Sequence, residues 1–422
     1  MKTVRWPILA ALLLLLATPP QRAYVDLYEQ MVVAFREGDD AAMSAAAEGA
    51  LALRPRFPAM MVNLAIARIR LGESEGALDL LQEVAEMGLA YPIEESEQFA
   101  PVAASRRFQD IVARMRANSL PAGEAEVALT LPQRDFFPEG IAFDEHSGTF
   151  FVGSVRTGSV VEIIAAGDVA PFAQLGWSVL GMKLDRPRGL LWVSISGLDQ
   201  RADLDSRRRG RAGIAALALS DGRLQGEYLL PDESVERVVG DLVVSDDGHV
   251  YASDSIAGGV WVLHAGADAM TPVLPDGTLV SPQGLDMGPN GTLYVADYNG
   301  GIFRVDVESG AAERLQAPDA VSLYGIDGLY VQGDGLLAVQ NGISPHRVLR
   351  VRLDAGGTAV TEAKVLLRAD PRFGEPTLGA VVGDAFYLLA NSPWAYFADP
   401  AQPPDIDSLP PPTVLRIGLL PR

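Results

Sequence analysis

The feature that most constrains this chain is a short pattern that returns six times beyond residue 137. Each copy has a Gly step, alternating apolar residues, a Gly-bearing turn and a second apolar run. Pro138-Glu139-Gly140-Ile141-Ala142-Phe143 leads to Ser147-Gly148 and Phe150-Phe151-Val152. Leu180-Gly181, Gly240-Asp241, Gln283-Gly284 and Asp327-Gly328 open four further copies, and Leu378-Gly379 a weaker sixth. Period-two alternation of β-branched and aromatic residues is the signature of strands, and the Gly-bearing breaks are turns. Gly140 to Gly181 spans 41 residues, and Gly240 to Gly284 and Gly284 to Gly328 span 44 each. That period, about 40–50 residues, fits one four-stranded sheet. Six such sheets predict a six-bladed β-propeller over residues 126–422, with insertions expected at Asp199–Gly213 and Ala355–Pro376. Glu126 to Leu131 is placed to latch the ring by pairing with Val414 to Leu419.

The part before the repeats follows a different rule. From residue 24 to 118 the chain is rich in Ala, Leu, Met, Glu and Arg with apolar residues at helical spacing. Phe35-Arg36-Glu37-Gly38-Asp39 and Ile69-Arg70-Leu71-Gly72-Glu73 mark the same point in two units 34 residues apart. Asn63-Leu64-Ala65 and Ala77-Leu78 put small residues where paired helices meet. This resembles the tetratricopeptide family, with a degenerate third pair ending in Phe108-Gln109-Asp110-Ile111. Either a partner-binding groove or a helical cap on the next domain is open to it. Residues 119–125, with Pro121 and Gly123, read as a linker.

At the N-terminus Lys2 and Arg5 precede an apolar run from Ile8 to Ala17, broken by Thr18-Pro19-Pro20. As a helix that run rises about 15 Å, half of a hydrocarbon core, so residues 1–23 read as a signal peptide. An exported protein, periplasmic or secreted, is expected, with no integral span in the mature chain; an uncleaved anchor is the alternative. Composition then excludes whole classes of chemistry. With 34 basic against 54 acidic residues the formal charge is −20, which disfavours nucleic acid as a partner. There is no Cys, so disulfides, thiolate nucleophiles and zinc–thiolate sites are excluded, and four His leave little for an imidazole metal site.

In a propeller the innermost strand of each blade starts near the central channel. The residues beside the recurring Gly are Glu139, Leu180, Gly240 with Asp241, Gln283, Asp327 and Leu378. Three carboxylates and an amide from four blades are thereby expected to face one small space. Like charges so placed repel unless a cation or protons neutralise them. All-oxygen ligation suits Ca²⁺, with Mg²⁺, Mn²⁺ or Zn²⁺ as other candidates. Each group also has an ordinary reading, since Asp-Gly and Gly-Asp are common turn chemistry and Glu139 beside Pro138 could be a solvated loop residue.

The blade pattern resembles the regucalcin/gluconolactonase family of six-bladed propellers, over some 290 residues. In that family a divalent cation at the channel mouth is held by a Glu of the first blade, an Asn of the fourth and an Asp of the fifth. The resemblance carries these roles to Glu139 in Pro-Glu-Gly, Gln283 in Pro-Gln-Gly and Asp327 in Asp-Gly. The family's third-blade Asn-Asp reads Gly240-Asp241 here, and an Arg two residues earlier is replaced by Val238. Those departures point away from gluconolactone itself. The resemblance implies a metal-dependent hydrolase of a lactone or ester, with a small-molecule substrate and with Asp327 or Asp241 taking a proton from water. The other reading is a non-catalytic binding module of the cell envelope, with a protein partner on the helical repeats.

Other signals are weaker. Gly176-Trp177-Ser178 lies in a strand entry, not at a nucleophile elbow. His146, His249 and His264 sit in turns or at strand ends, and His346 is near a rim. Arg207-Arg208-Arg209-Gly210-Arg211 reads as solvated charges on an insertion, with capture of an anion as the other possibility. Trp394 and Tyr396 could wall a pocket or pack within a blade.

Overall fold

The computed structural model describes residues 19–164, 168–399, 402 and 404–419. The expected leader therefore lies outside the described residues up to position 18, and its last five residues open the first helix. Among the described residues no helix is long and apolar enough to cross a membrane.

Five helices come first: α1 (Pro19–Glu37), α2 (Asp40–Leu53), α3 (Pro58–Arg70), α4 (Ser74–Glu86) and α5 (Arg106–Asn118). Gly38 and Gly72, at φ 74° and 84°, turn the chain between α1 and α2 and between α3 and α4. A left-handed residue is what a tight helix exit needs, and Gly adopts it without steric cost. Asp39 caps α2 by accepting from the Ala42 N–H (2.9 Å), and Ser105 caps α5 through the Phe108 N–H (3.2 Å). Ala65 and Ala77 are fully buried between neighbouring helices, as their size suggested. The expected third pair has only one α-helix. Before α5 the chain makes two 3₁₀ segments, Ile93–Glu95 and Glu97–Val102, with Pro101 inside the second; a proline there removes an N–H that an α-helix would need.

Six four-stranded antiparallel sheets follow, one of them extended to five. Their inner strands are Pro138–Asp144, Ser178–Asp185, Val239–Val244, Pro282–Met287, Ile326–Gln332 and Gly379–Val382. The protein is thus a six-bladed β-propeller preceded by a helical region. The latch is formed as expected: Glu126–Thr130 is the outer strand of the sixth sheet, pairing antiparallel with Thr413–Gly418. That closure joins the two ends of the ring by backbone hydrogen bonds and leaves few exposed edges. Part of the linker is ordered as strand, with Ala122 and Gly123 opposite Arg368 and Leu367 on the fifth sheet. One expected insertion, Ala355–Pro376, contains a strand: Val360–Arg368 is the fourth strand of blade five. The longer excursion is in blade six, between Leu389 and Thr413, where 3₁₀ turns at Trp394–Phe397 and Ile406–Ser408 fold over the channel face.

The helices dock on that same face, against the loops of blades four and five. The Ala90 N–H donates to the Ser344 carbonyl (2.9 Å), and the Tyr324 hydroxyl donates to the Pro55 carbonyl (2.8 Å). Arg347, 3% exposed, donates to the Met87 carbonyl (3.0 Å) and to the Gln340 side chain (2.6 Å). Ile343 enters the helical core itself.

Candidate active site at the channel mouth

Five of the six inner strands break register at the same place. The pairing slips between Pro138 and Ile141, Val179 and Met182, Val239 and Leu242, Pro282 and Leu285, and Ile326 and Leu329. Each slip brackets the two motif residues: Glu139-Gly140, Leu180-Gly181, Gly240-Asp241, Gln283-Gly284 and Asp327-Gly328. A bulge kinks a strand and re-aims a side chain, so the repeat that defines the blades also sets side chains at the channel. The glycine has its own reason. A Cβ on Gly140 would strike the Leu180 carbonyl of the next blade, and one on Gly181 would lie 2.7 Å from the Asp241 Cα. Adjacent inner strands touch backbone to backbone at this level, and Gly284 and Gly328 repeat the contact.

Glu139 is 6% exposed, and its Oε2 accepts from the Trp394 indole N–H (2.8 Å) and the Ser392 hydroxyl (3.0 Å). Asp327 accepts at Oδ2 from the Asn341 amide (2.7 Å), and the Asn341 carbonyl oxygen accepts from the Tyr298 hydroxyl (2.9 Å). Glu139 Oε1 and Asp327 Oδ1 accept no hydrogen bond from a described residue. Gln283 is held at both ends: its amide N–H donates to Ser281 (3.1 Å) and its oxygen accepts from Ser255 (3.1 Å). A Cβ on Gly240 would lie 2.8 Å from the Ser255 hydroxyl and 3.2 Å from Gln283 Oε1. The missing side chain of blade three and the longer one of blade four are therefore complementary. Asp241 is 2% exposed, with Oδ2 buried and unpartnered.

The charges of these groups act on one another. Burial, and then the negative charge of Asp327, push the Glu139 carboxyl well above the usual range, and Glu375 adds to the effect. Asp327 is pushed up to about 7 by burial, with Glu375 adding and the Asn341 hydrogen bond opposing. Asp241 is pushed up to about 7 by burial, with Asp286 and Asp327 adding and the Lys183 ammonium opposing. Lys183 lies 4.8 Å from the centre of the Tyr330 ring, and the Tyr330 oxygen accepts from the Gly379 N–H (2.6 Å). Glu139 and Asp327 do not fold back into their own turns as ordinary turn chemistry would have them; they are held by Ser392, Trp394 and Asn341, which lie in loops and a 3₁₀ turn beyond their own strands. Among the described residues no three His, Asp or Glu side chains are grouped as a metal site would group them. The expected set has two carboxylates and an amide.

Sequence reasoning missed Glu375, Asn341 and Tyr298. A signal existed for the last two. Ser255, Tyr298 and Asn341 each follow the last residue or so of their blade's second strand, and each reaches the motif residues or their partners. The remaining candidates are elsewhere. Ser178 is buried at the start of an inner strand, and no helix follows it. Arg207 and Arg211 pair with Asp205 (2.6 Å) and Glu233 (2.6 Å), Arg209 pairs with Asp199, and Arg208 lies over Trp177. His249 packs on His264, and the His346 ring contacts the Gly374 carbonyl. Trp394 does wall the mouth, while Tyr396 is 52% exposed.

With the fold and mouth in place, solved structures similar to this chain can be set beside it. Regucalcin of Agrobacterium tumefaciens, described as a calcium-binding protein, is 16% identical, with a TM-score of 0.47 over 70% of this chain and 95% of its own. The PQQ-bound aldose sugar dehydrogenase of Streptomyces coelicolor is 13% identical, with a TM-score of 0.47 over 71% and 99%. Virginiamycin B lyase of Staphylococcus aureus is 13% identical, with a TM-score of 0.44 over 70% and 100%. These are likenesses of fold, and the propeller fold hosts unrelated chemistries. No family model matches the chain. No curated protein matches it either.

Proposed function

We propose that this chain binds a divalent cation at the channel mouth and hydrolyses a lactone or ester there. One observation carries the reading: the charge of Asp327 in blade five acts on the buried Glu139 carboxyl of blade one, and each carboxylate keeps one oxygen that accepts no hydrogen bond from a described residue. A cation between them would relieve the repulsion. Glu139, Asp327 and the Gln283 amide oxygen form an all-oxygen donor set, which suits Ca²⁺ first and Mg²⁺ or Mn²⁺ next, with Zn²⁺ less suited.

When bound, the cation would polarise the substrate carbonyl as a Lewis acid. Asp241 Oδ2 would accept the proton of an attacking water, whose oxygen bonds to the carbonyl carbon. The C–O bond of the ester then breaks, and the leaving alkoxide takes a proton back from Asp241. A carboxyl that titrates near neutrality and has an unpartnered oxygen suits this exchange. Asp327, mainly a ligand in this scheme, is the second group able to take that proton. Trp394 fixes Glu139, and Asn341 with Tyr298 fixes Asp327.

The helical region, with its turns 34 residues apart, we read as a tetratricopeptide-like cap. A protein partner would meet it on the side away from the propeller. The N-terminal leader would direct the chain to the periplasm or outside the cell. The test is a panel of lactones and aryl esters of several sizes, assayed with Ca²⁺, Mg²⁺, Mn²⁺ and Zn²⁺ after chelation. Metal-restored hydrolysis that is lost in Asp327→Asn is expected. Inactivity with every metal would overturn the hydrolase and place the chain with non-catalytic binding propellers.

A further inference from the structure

We infer that the loop of residues 341–346 in blade five couples the helical region to the Asp327 carboxylate, with Arg347 as the positioning residue that ties the loop to the helices. The consequence is read at Asp327, so the inference rests on the cation site proposed above. The loop lies between the second and third strands of blade five, Gly335–Gln340 and Arg347–Leu353. Gln340 and Arg347 stand opposite each other in the ladder, and the Arg347 Nε–H donates to Gln340 Oε1 (2.6 Å). That bond closes the loop at its base. Gln340 is itself fixed, since its amide donates to the Ser322 (2.9 Å) and Tyr324 (2.5 Å) carbonyls. The other end of the guanidinium belongs to the helices: Arg347 Nη1 donates to the Met87 (3.0 Å) and Gly88 (3.4 Å) carbonyls. Met87 caps the C-terminal end of α4, where unpaired carbonyls carry partial negative charge and favour a cation. The tip of the loop is held there too, with Ile343 in the helical core and the Ser344 carbonyl accepting from the Ala90 N–H (2.9 Å).

At the opposite side the same loop reaches the channel mouth. Asn341, its first residue, donates through its amide to Asp327 Oδ2 (2.7 Å) and to the Pro376 carbonyl (2.9 Å), and accepts from the Tyr298 hydroxyl (2.9 Å). The next N–H, of Gly342, donates to the Gly325 carbonyl (3.0 Å), and a Cβ on Gly342 would lie 2.5 Å from the Tyr298 ring. The contacts are therefore continuous from the end of α4 through Arg347 and Gln340 to Asn341 and Asp327, and the packing around Gly342 leaves no room for the loop to shift by itself. Undocking the helices would strip a buried cation of its helical acceptors, which is costly. Docking of the helices and placement of Asp327 are thus linked, and such linkage is reciprocal: docked helices favour the cation, and the cation favours docked helices.

The test uses the full chain carrying Arg347→Met. Calorimetric titration with calcium should show affinity about tenfold weaker than wild type, within the range of coupled sites, with an unchanged circular dichroism spectrum. Hydrogen exchange with chelator present reads the link without metal. Exchange should quicken at residues 87–90 and also in Ile326–Gln332, the strand that carries Asp327, while the inner strand of blade two, Ser178–Asp185, keeps its wild-type rate. Ile343→Ala, which withdraws the loop tip from the helical core and leaves Asn341 and Asp327 unaltered, should act in the same direction and serves if the first variant does not fold. Quickening confined to the helices and the loop, or equal in every blade, would overturn the inference, as would wild-type calcium affinity in a folded variant. No calcium binding by the wild type would overturn the proposed cation site instead, and the exchange result alone would then decide the coupling.

Discussion

Replacing Asp241 by Asn makes the channel's buried charge measurable without any substrate. The native carboxyl titrates near 7, against about 3.9 for an unfolded Asp. Between those values the folded state binds the extra proton, so its stability falls as pH rises from about 4 and the loss is complete above about 7. At about 1.4 kcal/mol per pH unit, this one group costs roughly 4 kcal/mol at pH 8 and under about 2 kcal/mol at pH 5. Asn carries no charge at either pH. Its own cost, a buried amide with imperfect partners, is about 1–3 kcal/mol and independent of pH. The pH dependence therefore isolates the charge. Urea unfolding with chelator present, at pH 5 and pH 8, should show the variant gaining about 2–3 kcal/mol on the wild type between the two conditions. Parallel stabilities at both pH values would refute the reasoning and mean that the Asp241 carboxyl is solvated.

Other consequences can be checked more simply. Gly140→Ala should lower the melting temperature by several degrees, because its methyl group meets the Leu180 carbonyl of the neighbouring blade; an unchanged melt would contradict the close approach of inner strands. Trp394→Phe removes one of two donors to Glu139 Oε2. It should weaken calcium binding, measured by titration calorimetry, by a few fold with little change in fold, whereas unaltered affinity would detach Trp394 from the site. Phe57→Ala should loosen the helices from blades four and five, read as faster proteolysis within the helical region, and resistance equal to wild type would show that the Tyr324 contact does not hold the seam.

Much of this architecture was legible because propeller blades are repetitive. A Gly that must lie against the next blade's backbone returns in four of the six inner strands, so Gly140, Gly181, Gly284 and Gly328 announced the ring before any contact was known. The motif side chains came with it, because the bulge is part of the same repeat. Asn341, Tyr298 and Glu375 were not legible in the same way. Asn341 and Tyr298 directly follow their blades' second strands, a recurring place marked by no residue type of its own, and Glu375 reaches the mouth from a loop of variable length. The blade-six excursion was missed for a related reason: its cover over Glu139 depends on a Trp394 contact 255 residues away in sequence. The expected insertion at Ala355–Pro376 holds a fourth strand, Val360–Arg368, whose exposed Thr361 and Glu362 and run of Val365-Leu366-Leu367 break the strict alternation that would mark it.

The most direct measurement is a crystal structure of the full chain grown with millimolar calcium. One ion is expected at about 2.3–2.6 Å from oxygens of Glu139, Gln283 and Asp327, with Asp241 facing the same channel. Glu139 and Asp327 carboxylates more than about 10 Å apart, beyond any shared ligation at those bond lengths, or an empty mouth at that calcium concentration, would contradict the account.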